Sequence, residues 1–231
     1  MKGGLQMRIP LGRTPVPASE SSATSGRVPT QHDLDTLSRQ LNRPVRDVVE
    51  IPARCVCGNP LVAATAPRLS NGIPFPTTFY LTHPVITAAA SRLEAAGMMN
   101  EMSERLAGDA DLAAAYQKAH EAYIAARVAI GERAGTGPVP EIDGISAGGM
   151  PTRVKCLHVL VGHALAAGPG VNPLGDEVVA ALAPWWTADK CYCEGAWDDG
   201  APVPNKDLSR HVKHLNAQAA EPSPLAGPEN R

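Results

Sequence analysis

GGMPTRVKCLHVLVGH, residues 148–163, gathers a glycine pair, a proline, two basic side chains, one cysteine and two histidines into sixteen positions. Its local chemistry predicts a helix. Thr152 is a good N-cap, because its hydroxyl can accept from a backbone N–H two or three residues on, and Gly168-Pro169-Gly170 is a strong stop. A helix from about Arg153 to Ala167 follows. At about 100° per residue, Cys156 and His163 then lie about 20° apart, whereas His158 points about 160° away from Cys156. An unbroken helix therefore presents Cys156 with His163 and turns His158 elsewhere.

Working outward, Thr30 with Asp33 makes a capping-box start for a helix whose Leu34, Leu37 and Leu41 share a face before Pro44. Strands are predicted over residues 45–51, 61–65 and 77–82. Asn71-Gly72 marks a turn that makes the second and third antiparallel neighbours. Pro84 at a helix N1 position and Gly97 as a stop bound the next helix, and residues 98–106 form another. A longer one begins at Asp109 or Asp111 and runs to about Ile130, with Leu112, Tyr116, Ala119 and Tyr123 on one stripe. Residues 131–150 form a long Gly/Pro-rich connection, and Asn172-Pro173 caps a final helix to about Ala183. The fold class expected is α+β: a mainly helical single domain packed on a small, partly antiparallel sheet.

With 231 residues and 44% hydrophobic content the chain can bury one real core. That domain is expected over residues 30–198. Residues 1–29, rich in Pro, Ser, Thr and Gly, are expected to be disordered, as is most of the tail 199–231. A net charge of −2 with interspersed signs leaves no footprint for duplex nucleic acid, so no nucleic-acid partner is expected. No apolar run reaches the length that spans a bilayer, and no signal-peptide core opens the chain. A cytoplasmic protein is expected, and its five cysteines then read as thiols, ligands or small core residues.

Two constellations carry chemistry. The first is thiol and imidazole: Cys55 and Cys57 in RCVCGNP, Cys156 and His163 on the helix, Cys191 and Cys193 in KCYCEG. Zinc takes four such ligands in a structural site, or three and a water in a catalytic one. An iron–sulfur cluster drawing on Cys55, Cys57, Cys191 and Cys193 is an alternative. So is a nucleophilic Cys156 with His163 as base, although about 10 Å of helix axis separates them. The second constellation is an anion site, in which Gly148 and Gly149 lead into a helix N-terminus flanked by Arg153 and Lys155. A small anionic ligand is the partner it suggests.

The segments at residues 54–60, 67–84, 91–102, 115–124 and 146–177 together resemble domain-of-unknown-function family 501 as found in actinobacteria. The family pattern resembles Arg-Cys-x-x-Gly-x-Pro, Lys-Cys-Leu-His-x4-His and Asn-Pro-x-Gly. Those positions fall here on Arg54, Cys55, Gly58 and Pro60, on Lys155, Cys156, His158 and His163, and on Asn172, Pro173 and Gly175. Cys57 occupies a variable slot and Cys191 and Cys193 lie beyond the matched region, so the resemblance favours Cys55, Cys156, His163 and His158 as metal ligands. The family brings no activity with it. Two readings follow. Cys156 and His163 form a zinc- or thiol-based catalytic site beside the anion pocket of Gly148, Gly149, Arg153 and Lys155, acting on a small phosphorylated or carboxylated molecule. Alternatively, the domain is a non-enzymatic binding or regulatory module with at most a structural metal.

Overall fold

Thr30 opens the first helix as its spacing predicts. In the computed structural model, which describes residues 27–195, Trp197 and residues 200–205, helix α1 spans Gln31–Leu41. The Thr30 hydroxyl accepts from the Asp33 N–H, and the Asp33 carboxylate accepts from the Thr30 N–H at 2.8 Å. Of the extension expected over residues 1–29 and the tail expected over residues 199–231, residues 1–26, residue 199 and residues 206–231 lie outside the described residues.

Strands β1 (Val48–Arg54), β2 (Pro60–Thr65) and β3 (Phe79–Leu81) form an antiparallel sheet in that order. The first strand begins three residues later than predicted. Asp47, at φ 59°, sits in the left-handed region and interrupts the extended run from Val45. All six residues of β2 are buried, because both faces of the sheet are covered. Leu37 of α1 packs with Ile51 and Ala63 on one face, and the main core lies on the other.

That main core is helical. Among the described residues it is built by α2 (Pro84–Ala95), α3 (Met98–Gly108), α4 (Ala110–Ala134), α5 (Leu157–Ala167) and α6 (Pro173–Ala181). The predicted stripe of α4 holds, with Tyr116, Ala119 and Tyr123 inaccessible to solvent. The α+β class with helix predominating is thus the observed one.

The long connection after α4 is tied down from within. The buried Arg127 guanidinium donates to the Ile142 carbonyl at 2.7 Å and also to the Ile145 carbonyl. Ser146 donates to the Met150 carbonyl at 3.2 Å and so accepts from His120 Nδ1, 2.8 Å away.

The stretch 148–163 departs from its predicted form at its start. The helix begins at Leu157, and its N-cap is Cys156 in extended conformation, not Thr152. Gly148 and Gly149, both at positive φ, fold the preceding residues into a closed loop instead. The Gly148 carbonyl accepts from Lys155 N–H at 2.7 Å and the Gly149 carbonyl from Arg153 N–H at 3.1 Å. A Cβ on Gly149 would stand 2.6 Å from the Arg153 carbonyl oxygen, so only glycine closes this loop.

Beyond its start, α5 is the hub of the core. Gly162 lets it lie directly on β3, where a Cβ would come within 2.8 Å of the Phe79 carbonyl oxygen. Gly175 lets α6 approach the Leu160 carbonyl as closely. After α6, Trp186 enters the core, and the chain then crosses back toward the β1–β2 turn and α1, where Arg39 donates to the Ala201 carbonyl at 2.7 Å.

Candidate metal and thiol centres

The turn between β1 and β2 is built to present two sulfurs. Cys55 N–H donates to the Asn59 carbonyl and Gly58 N–H to the Cys55 carbonyl, both at 2.8 Å, and Gly58 at φ 94° completes the tight return. Arg54 braces it, donating to the Gly58 carbonyl at 2.9 Å and to both carboxylate oxygens of Asp33 at 2.5 and 3.0 Å. Against this turn lies the returning segment with Cys191 and Cys193. The four sulfurs of Cys55, Cys57, Cys191 and Cys193 lie within 4.8 Å of one another, and none is in a disulfide. Cys55 and Cys193 are buried, whereas Cys57 and Cys191 face solvent.

The donor set fits a metal ion. Zn–S bonds of about 2.3 Å in a tetrahedron put sulfurs about 3.8 Å apart, inside the observed limit. Clusters distribute their thiolates over separate irons and spread them wider. The protons tell the same story. Burial together with its sulfur neighbours pushes the Cys193 thiol up, and local desolvation of the Cys57 sulfur, with Cys191 and Cys55 beside it, pushes Cys57 up although one side of it faces solvent. Burial also acts on Cys55, but there N–H and S–H donors, those of Cys57 first, outweigh it and pull the pKa down. Sulfurs this close cannot all become thiolates unless a cation compensates them. Outside the four, His83 Nε2 stands 3.4 Å from the Cys193 sulfur. Burial lowers its pKa to about 4, so the ring is neutral, and its Nδ1 has no partner.

A second group forms at the start of α5. Cys156 Sγ lies 3.8 Å from His158 Nδ1, and that nitrogen lies 3.1 Å from Glu94 Oε1 of α2. The same carboxylate oxygen accepts from the Leu157 N–H at 2.7 Å and so caps α5 in trans. On the other side of the ring, His158 Nε2 faces the Thr87 carbonyl at 3.1 Å and the Ser91 hydroxyl at 3.2 Å. The carbonyl can only accept, so Nε2 carries a proton and Nδ1 is the nitrogen that works with Cys156. The Cys156 contact, together with the Glu94 charge and against the effect of burial, raises His158 to about 9.

The expected ligand set Cys55, Cys156, His163 and His158 is therefore divided over three surroundings. Cys55 joins the other Cys-x-Cys pair, and Cys156 joins His158. The helical-wheel separation of those two fails because Cys156 is a cap in extended conformation, not a helical residue. His163 is buried, stacked on Phe79 at 5.7 Å and edge-on to Tyr123 at 5.1 Å, with Asn172 Nδ2 donating to its Nδ1 at 3.2 Å. Burial lowers it to about 4. Arg153 and Lys155 are exposed on the closed loop, whose glycine carbonyls take their N–H groups, so no helix N-terminus opens between Gly148, Gly149 and these cations. Glu94 is not among the candidate site residues of the sequence. Nothing local marks it, because its role comes from the packing of α2 on α5.

Among the described residues, no helix is long and apolar enough to cross a membrane. No curated protein and no solved structure matches the chain. A family model does match, over residues 51–180, a span that contains Cys55, Cys57, Glu94, Cys156 and His158 and ends before Cys191. That match extends over more than half of the chain, which thus belongs to the family described as protein of unknown function, DUF501.

Proposed function

We propose that this is a zinc-binding domain in which the ion held by Cys55, Cys57, Cys191 and Cys193 is structural, fastening the returning C-terminal segment to the β1–β2 turn. The observation that carries the reading is the convergence of four reduced sulfurs within 4.8 Å from sequence positions far apart. Four thiolates complete a tetrahedral shell and leave no position for water or substrate, which is the arrangement of a structural rather than a catalytic zinc. A cytoplasmic setting, where thiols stay reduced, suits this chemistry. The non-enzymatic reading of this centre is thereby preferred over a catalytic zinc.

Elemental analysis of the full chain, purified without chelator, tests it. One zinc per chain is expected, unchanged in Cys156→Ser and lost in Cys55→Ser and in Cys191→Ser. Iron with visible thiolate-to-metal absorption, a metal-free chain after growth with added zinc, or full zinc occupancy in Cys55→Ser would each overturn the assignment.

A further inference from the structure

Cys156 and His158 line a cleft of about 580 Å³ bounded by β3, α2 and the start of α5, within the size range of small-molecule sites. Its walls include Leu41, Phe79, Leu81, Ala88 and Val159, and none of its lining residues is Asp, Glu, Lys or Arg. Glu94 is not part of the lining, and its Oε1 reaches the same imidazole nitrogen, Nδ1, as the Cys156 sulfur.

We propose that Cys156 is a nucleophile and His158 its proton carrier, with Glu94 as the positioning residue, and that the cleft takes an activated acyl compound, an ester or thioester, with a small apolar acyl group. Leu41, Phe79, Leu81, Ala88 and Val159 offer the acyl group an apolar wall, and no Lys or Arg lines the cleft to clamp a phosphate. The Thr87 carbonyl fixes the ring through Nε2, so the proton that moves is the one on Nδ1, between Cys156 and Glu94. The Cys156 thiolate attacks the carbonyl carbon, a C–S bond forms, the bond to the leaving oxygen or sulfur breaks, and the Nδ1 proton goes to the leaving group. Water then attacks the acyl-enzyme. Its proton returns to His158, the C–S bond breaks, and the acid is released as the thiolate is restored. The Glu94 oxygen is already engaged by the Leu157 N–H and the imidazole, which suits a fixed acceptor better than a metal ligand.

Iodoacetamide with peptide-resolved mass spectrometry reads the reactivity of the thiol directly in the zinc-loaded chain. At pH 7 Cys156 should alkylate on the order of 10-fold faster in the wild type than in His158→Gln, in which no imidazole takes its proton. p-Nitrophenyl butyrate should then give a burst of one p-nitrophenolate per chain and a butyryl adduct on the Cys156 peptide, both absent in Cys156→Ser. His158→Gln should slow acylation on the order of 100-fold. Glu94→Gln should slow acylation by misplacing the imidazole, and Glu94→Asp should recover part of the wild-type rate. Circular dichroism of each variant separates these effects from unfolding, and the wild-type burst and adduct stand without any variant. A wild-type chain without a burst, a burst that survives Cys156→Ser, or a second zinc equivalent that blocks Cys156 alkylation would overturn the proposal.

Discussion

His163 sits between the Phe79 and Tyr123 rings with its Nδ1 taken by Asn172, and its folded pKa of about 4 lies below the ordinary value of 6.5. The sign of the consequence is fixed. Between those two values the unfolded chain binds a proton that the folded chain refuses, so stability is full above pH 6.5 and falls as pH drops toward 4, by up to about 3 kcal/mol. Urea midpoints at pH 7 and pH 5 should therefore lie closer together in His163→Gln than in the wild type. Asp33 adds a second contribution that acid removes, at lower pH. Burial would raise its carboxyl, but the Arg54 guanidinium and the Thr30 donors outweigh this and hold it near 2. Its contribution is present above pH 3.8 and lost as pH falls toward 2. Asp33→Asn leaves Arg54 without its counter-charge and should cost about 2 kcal/mol at pH 7, read from the urea midpoint, a value below that of a fully buried pair because Arg54 is partly exposed.

At the scale of elements, α5 is held by contacts too close for any side chain. Gly162→Ala forces a methyl against the Phe79 backbone, and Gly175→Ala forces one against the Leu160 backbone. Neither carbonyl is a flexible side-chain end that can swing away, so each substitution should lower stability by about 1–3 kcal/mol despite the better helix propensity of alanine, as thermal or urea unfolding will show. These contacts also mark what sequence could and could not tell. The body of α5, its glycine stop, the capping box at Thr30 and the tyrosine stripe of α4 were legible, because caps and periodicity are local. The start of α5 was not, because Gly148 and Gly149 closed a loop with the very N–H groups that a Thr152 cap would have organised. Glu94, the residue that does cap α5, lies 63 positions earlier and announces nothing in its own helix. The thiols were legible as candidates but not in their grouping. A Cys-x-Cys pair has no partner until the chain's return path is known, and a helical wheel cannot place a residue that is not helical.

For the whole molecule, the tetrathiolate centre joins the first β-turn to the segment beyond the family-matched core. Bridging residues 57 and 191 closes a loop of about 130 residues, and cross-links of that span restrict the unfolded chain by up to roughly 4–5 kcal/mol. A chain ended after Asp189 keeps Trp186 in the core but loses two of the four sulfurs. It should bind no zinc and melt at a lower temperature than the zinc-loaded full chain, and chelation should bring the two melting curves together. The four sulfurs are also unequal in their access to water. Cys55 and Cys193 are anchored in the interior, while Cys57 and Cys191 form an outer lip. Competing metals and oxidants therefore approach from one side only. How firmly the end of the chain is fastened then answers to the metal supply and redox state of its surroundings, and not to temperature alone.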